Sequence, residues 1–176
     1  GKNSHIKLLD HNTSEADLCL SSYYAEIQLE DGAILDYIAL DRMTSQKNYI
    51  KRQVHTGRDA QMHWTLASFN EGHCVQDLQT HLIGEGSSAN HDLIAISRGH
   101  QEQVIYSKII NQGSHTIGHI AQHGVALDHA TLTMNGIGHI LKQAKNADAQ
   151  QENRLLMLSD HARGDAYPIL LIDEFE

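Results

Sequence analysis

Three histidines stand four residues apart in His115–His123, HTIGHIAQH, within a chain of 176 residues that holds 14 histidines. Neutral imidazole is a good zinc ligand, and histidines one helical turn apart share a face and can grip one ion. On a strand the same letters also share a face, but four residues at ~3.3 Å each separate the rings by about 13 Å. The chemistry therefore depends on the element that carries them. The β-branched residues, the glycines at 118 and 124 and the absence of a helix-forming run in HTIGHIAQHG favour a strand, and intrastrand chelation fails on distance. The candidates are His115, His119, His123, His129 and His139. One route to a metal survives: strands stacked about 4.8 Å apart could bring histidines of neighbouring strands together, His119 and His139 for example. A solvent-facing ladder of uncharged imidazoles needs no metal, so no metal ligand is assigned.

Other motifs fare no better. Gly84–Ala89, GEGSSA, has the Gly-x-Gly-x-x-Ala form of a dinucleotide loop and follows the strand-like THLI. A pyrophosphate needs a helix N-terminus after the glycines, whereas NHDLIAIS continues as a strand, and Glu85 puts a carboxylate where phosphate would sit. A glycine turn is expected. No Gly-x-Ser-x-Gly elbow appears, and Ser68, Ser97, Ser107, Ser114 and Ser159 have no His and Asp partners that spacing reveals. SDHARGD, Ser159–Asp165, reads as a solvated loop. Cys19 and Cys74 form no Cys-x-x-Cys pair and are expected as free thiols, Cys74 as a small buried group in a strand. No catalytic and no cofactor-binding residue is assigned.

The elements behind these residues are short. From Tyr23 the chain alternates: Ala25, Ile27 and Leu29 on one side, Glu26, Gln28 and Glu30 on the other, before Asp31-Gly32. AILDYIAL follows, so Tyr23 to Leu40 reads as a pair of adjacent strands. Similar segments recur every 8 to 16 residues or so to the end, the rhythm of an all-β domain. The single proline agrees, because proline removes a ladder donor. The first 22 residues are a lead-in that pattern does not assign, although Ser14 in SEADLCL resembles a helix N-cap. LKQAKNADAQQENRLLML has helix-forming letters without helical periodicity and reads as a turn between strands. A sandwich, a jelly roll and a parallel β-helix all fit.

Composition bounds the function. Hydrophobic residues make up 40% and charged residues 20%, which suits one globular domain. The formal charge of −9 opposes a phosphate backbone, so nucleic acid is not an expected partner. No run approaches the roughly 18 to 20 apolar residues of a membrane span, and no membrane partner is expected. The chain reads as cytoplasmic. It opens on Gly1 and closes on the strand-like PILLIDEFE, which suggests an excised piece of a longer protein.

In Asp148–Ser159, DAQQENRLLMLS, Gln151 and Asn153 lie two apart, so in an extended segment both amides face one way and can bond stacked neighbours, as at a solenoid corner. This segment resembles the SufB/SufD family of iron–sulfur cluster assembly proteins, and within it the SufD branch. The family pattern runs acidic-Ala, Gln-x-Asn-Arg, a leucine-rich run ending in Ser, then Pro-x-Leu-Glu-Ile. Asp148, Ala149, Gln151, Asn153, Arg154, Leu156, Leu158, Ser159, Pro168, Leu170 and Ile172 fall on it. MNGIGHI is similar to the family's Phe-x-Gly-Lys-Ile segment, and GRDAQMHW, LIGEGSSA and SHTIGHI keep the expected order. Leu171 stands where the family usually has Glu, and Met134 where it has an aromatic residue. With only Cys19 and Cys74, the chain lacks the cysteines and the long aromatic-rich central sequence expected of SufB relatives, which favours the SufD branch.

The resemblance implies a right-handed parallel β-helix (solenoid) core over 23–176, truncated before the C-terminal region, with HTIGHIAQH as one rung and the beginning of the next. It implies a non-catalytic scaffold acting with SufB and the SufC ATPase. An iron–sulfur cluster would sit transiently on the full complex, and ATP would be used by SufC. None is expected on this fragment. The His-containing turn and the SufC-docking helices of the family would lie beyond Glu176, so no functional residue is carried over. A truncated solenoid bares a strand edge, and self-association is expected. The competing class is a metal-dependent or carbohydrate-active enzyme on a β-helix or jelly-roll frame, using clustered histidines.

Overall fold

The computed structural model describes residues 1–15 and 18–175, and every regular element among them is a strand. In order these are β1 (His5–Thr13), β2 (Leu20–Leu29), β3 (Ile34–Arg42), β4 (Lys47–Thr56), β5 (Gln61–Ser68), β6 (His73–Leu82), β7 (Ser88–Ser97), β8 (Glu102–Asn111), β9 (Ile117–Ala126), β10 (Thr131–Ile140), β11 (Asp148–Met157) and β12 (Arg163–Ile172). The odd strands form one six-stranded sheet and the even strands another. All pairings are parallel, for example Ile34 with Gln61 and Thr131 with Arg163. The chain thus winds as a two-sided parallel β-solenoid in which each circuit lays one strand on each sheet.

Alternation drives this arrangement. In β10 every second residue, from Leu132 to Ile140, is buried, and its neighbours face outward. Trp64, Met62, Leu93, Ile105, Leu132 and Met134 fill the interior between the sheets, with Tyr37 and Trp64 rings 4.6 Å apart. Polar side chains share that interior, among them Gln103, Gln122, His91, Thr80, Ser107 and Asn111.

One corner explains the glycines of GEGSSA. A Cβ on Gly84 would come within 2.1 Å of the backbone of Gly57 and Arg58 in the circuit before, and one on Gly113 within 2.6 Å of Ile83 O. Successive coils approach too closely there for any side chain. Gly84 to Ser87 form a turn and β7 follows, so no helix N-terminus faces a phosphate.

The structure departs from the sequence reading in several places. β2 and β3 are not a pair: they lie on opposite sheets, because the turn at Gly32, φ +66°, carries the chain across the interior. The polar opening stretch supplies β1, level with β3. Ala16 and Asp17, which the N-cap reading of Ser14 needs, lie outside the described residues. The Ser14 hydroxyl accepts instead from the Thr44 and Ser45 amides of the next circuit, both at 2.9 Å. The turn after β10 spans only 141–147, and the rest of that helix-lettered segment is β11. HTIGHIAQH is not a rung and the start of the next. His119 and His123 belong to one strand, β9, and His115 to the turn before it.

Pro168 lies in β12, the edge strand of the even sheet.

Candidate functional site

The histidines singled out by spacing do not converge. His119 and His123 face outward from β9 on the odd sheet, His139 faces outward from β10 on the even sheet, and His115 holds a left-handed turn at φ +58°. His119 and His139 therefore occupy opposite faces of the solenoid. Each pairs with an acid: His139 Nε2 to Asp173 Oδ2 at 2.8 Å, His119 Nε2 to Asp148 Oδ2 at 3.7 Å. Among the described residues no three His, Cys, Asp or Glu side chains form a ready-made ligand set.

Other histidines do meet, across consecutive coils. His55 and His81 stack on the even sheet with centroids 4.7 Å apart, and the Gln53 and Gln112 amides donate to their ring nitrogens. Burial, then the neighbouring His55, lowers the His81 pKa. At the turns between sheets His129 lies 5.0 Å from His100 and 4.7 Å from His161, nearly parallel to both. Sequence spacing missed this column because the circuits differ in length.

The serines serve structural roles. Ser68 donates to Gln103 Oε1, Ser114 to Gln143 O, and Ser159 Oγ accepts from the Asp128 amide. Ser107 does meet a histidine, His91 Nδ1, at 2.8 Å. Both are fully buried, and His91 Nε2 faces the Thr80 hydroxyl at 2.7 Å where a triad would have a carboxylate. Trp64 Nε1 donates to the Thr80 hydroxyl, which the buried His91 ring therefore shares with an indole. Burial pushes the His91 pKa down to about 3, which leaves a neutral core imidazole. Cys74 is buried in β6 with its thiol pushed up to about 12 by burial, and Cys19 is a free, exposed thiol.

The interior also holds an ion-pair cluster that sequence reasoning did not find and an amide pair that it found but placed at a corner. Near β1, Arg52 bonds Asp41 and Asp10, and the Tyr23 and Tyr37 hydroxyls donate to Asp10 Oδ2 at 3.0 and 2.5 Å. At the other end, Gln151 and Asn153 point inward, mid-strand rather than at a corner. Gln151 Nε2 donates across the interior to Ile169 O at 2.7 Å, not to a stacked neighbour. Gly136 and Gly138 make room for these amides, since a Cβ on Gly138 would lie 2.9 Å from Gln151 Nε2. On the outer face of the odd sheet, Asp92, His119 and Glu152 line a polar depression of about 400 Å³ floored by Ala121.

A second depression, of about 660 Å³, lies among Thr13, Arg42, Phe69, Glu71 and Arg98. The model of the SUF system FeS cluster assembly family, SufBD core domain, matches residues 1–176. The chain belongs to the SufBD core domain family. It is 40% identical over 152 residues to the iron–sulfur cluster assembly protein SufD of Bacillus subtilis (strain 168). That match covers 85% of this chain and 35% of the relative, so the chain spans about a third of that protein's length. For this SufBD core domain the Gln-x-Asn amides and the glycines of MNGIGHI form one packing unit, β10 against β11. No helix among the described residues is long and apolar enough to cross a membrane.

Proposed function

We propose that the chain is the solenoid core of a SufD-like subunit in iron–sulfur cluster assembly, a scaffold without catalytic chemistry of its own that works with SufB- and SufC-type partners. The family match over the whole chain carries this reading, and the geometry supports it. β11 and β12 each have one edge without a strand partner among the described residues, and the inward-facing Leu170 and Ile172 beside that edge are half exposed. Unpaired ladder groups beside apolar side chains accept a further strand, from the continuing chain or from a partner. In this reading the cluster is cargo of the whole complex, ATP is hydrolysed by the SufC-type partner, and the site of action is the cytoplasm.

Co-expression of the full-length protein with SufB and SufC homologues of its own organism tests this. The expected result is one co-eluting complex whose ATP hydrolysis disappears when the SufC-type subunit is omitted. A full-length protein that neither co-elutes nor restores cluster assembly in a strain lacking its SufD overturns it. Residues 1–176 alone should self-associate through the free edges, and light scattering that reports a clean monomer at high concentration counts against that.

A further inference from the structure

The column of His100, His129 and His161 is built rather than accidental. Gly99 and Asp128 both hold left-handed turns, φ +65° and +57°, and each immediately precedes a histidine of the column. The turns are bonded to one another: His129 N donates to Gly99 O at 2.9 Å, Gly99 N to Asp128 Oδ2 at 2.9 Å, and Asp128 N to Ser159 Oγ at 2.8 Å. Two of the three turns share this left-handed residue, and together with the turn at Asp160–His161 they set three imidazoles one coil apart, with interplanar angles of 9° and 6°.

Their nitrogens distinguish them from the other stacked pair. The rings of His55 and His81 each receive a glutamine amide hydrogen bond. Among the described residues the ring nitrogens of His100, His129 and His161 make no hydrogen bond, and all three residues are exposed.

We propose that this column is a chelating site for a divalent transition metal of the imidazole-preferring class, with Zn²⁺ as the probe. Tetrahedral zinc with Zn–N of about 2.0–2.1 Å needs two nitrogens about 3.3 Å apart. Exposed rings with centroids 4.7 to 5.0 Å apart reach that spacing by tilting toward each other. Two imidazoles then hold the ion and water completes its sphere. His129 belongs to both possible pairs, so the column takes one ion at a time, shared between the His100–His129 and His129–His161 positions. The site is independent of any role in cluster assembly.

The test is calorimetric titration of Zn²⁺ into the full-length protein, without an affinity tag and in a buffer that does not chelate. His129→Gln removes both pairs and should weaken the site by more than the roughly tenfold that even an outer-shell partner is worth. His100→Gln and His161→Gln each leave one pair and should cost only about twofold, the statistical weight of a lost position. The double variant H100Q/H161Q should match His129→Gln, and it reports on the column without touching His129. A zinc-edge anomalous peak beside His129 in soaked crystals supports the assignment. Absence of binding to the wild type, retention of full affinity by either His129→Gln or the double variant, or loss of the same binding on replacing His55 and His81 overturns it.

Discussion

Arg52 and Asp41 meet inside the coil as a two-pronged pair, Nη2 to Oδ1 at 2.7 Å and Nη1 to Oδ2 at 3.0 Å, although they come from opposite sheets. Arg52 is 2% exposed and Asp41 is fully buried. Asn12 and Gln76 amides also donate to Asp41, and Arg52 reaches on to Asp10. The pair therefore ties the two sheets together and connects β1 to β6.

Removing one charge leaves the other buried without its partner. Arg52→Met should cost about 3–5 kcal/mol in urea denaturation, and the double variant R52M/D41L should recover a substantial part of that loss. Equal losses in the single and double variants would show that the charges are not coupled.

Asp10 makes the same end of the coil sensitive to acid. Burial raises its pKa, but the hydrogen bonds from Tyr37, Asn12, Tyr23 and Arg52 outweigh it and hold the carboxyl below its usual range. A depressed folded pKa contributes stability that is full above the unfolded value near 3.8 and is lost as pH falls through the folded one. Asp10→Asn should be less stable than wild type at neutral pH, and that gap should narrow below about pH 4. A gap that stays constant from pH 7 to pH 3 contradicts the assignment.

His91 acts in a higher window. Its folded pKa of about 3 lies below the ordinary histidine value of 6.5, so the unfolded chain binds the extra proton first. Stability is then full above pH 6.5 and declines toward pH 3. His91→Leu should lower the melting temperature at pH 7.5, because the Thr80 and Ser107 hydroxyls lose a partner. It should also flatten the decline between pH 6.5 and pH 4, and a variant with the wild-type slope would place the titration elsewhere.

Two glycine substitutions separate crowding from backbone strain. Gly84→Ala drives a methyl to 2.1 Å from backbone atoms of the previous coil and should prevent folding or cost more than about 4 kcal/mol. Gly99 has nothing within 4 Å of a Cβ, so Gly99→Ala meets only its φ of +65° and should cost about 1–2 kcal/mol. Similar melting temperatures for the two variants would mean that the coils are not in contact at Gly84.

The amide cluster makes a coupling prediction. Alanine suits a strand better than glycine by about 0.5–1 kcal/mol, yet at Gly138 the Gln151 amide occupies the space. Gly138→Ala should cost more in the wild type than in a Gln151→Ala background, where only Leu170 Cδ1 at 3.3 Å and Ala149 Cβ at 3.4 Å still crowd the new methyl. A double-mutant cycle with no coupling energy rules out the contact.

Much of the fold was legible from alternation alone. Ala25, Ile27 and Leu29 do face inward or are shielded, and Glu26 and Gln28 do face out, whereas the Gln-x-Asn segment, read as part of a turn between strands, is strand β11. Alternation describes a strand and its faces but not its neighbour, so β2 and β3 looked paired when a turn had sent them to opposite sheets. The histidine column was hidden for the same reason. Nothing in the intervals from His100 to His129 and His161 marks them as neighbours until each circuit's length is known. The signal that was available is local, a turn-forming Gly99, Asp128 or Asp160 directly before each histidine. The inward amides were misplaced at a corner because polar residues are usually assigned outside, and only the glycines opposite them reveal the space.

The half-polar filling has a thermal consequence. Unfolding would hydrate Gln103, Gln122, Asn111, Thr80 and Ser107 together with Trp64 and Leu132, and polar exposure subtracts from the heat-capacity increment that apolar exposure adds. This coil should therefore show a broad, shallow dependence of stability on temperature, and hold its shape in the cold better than a purely aliphatic coil of the same length.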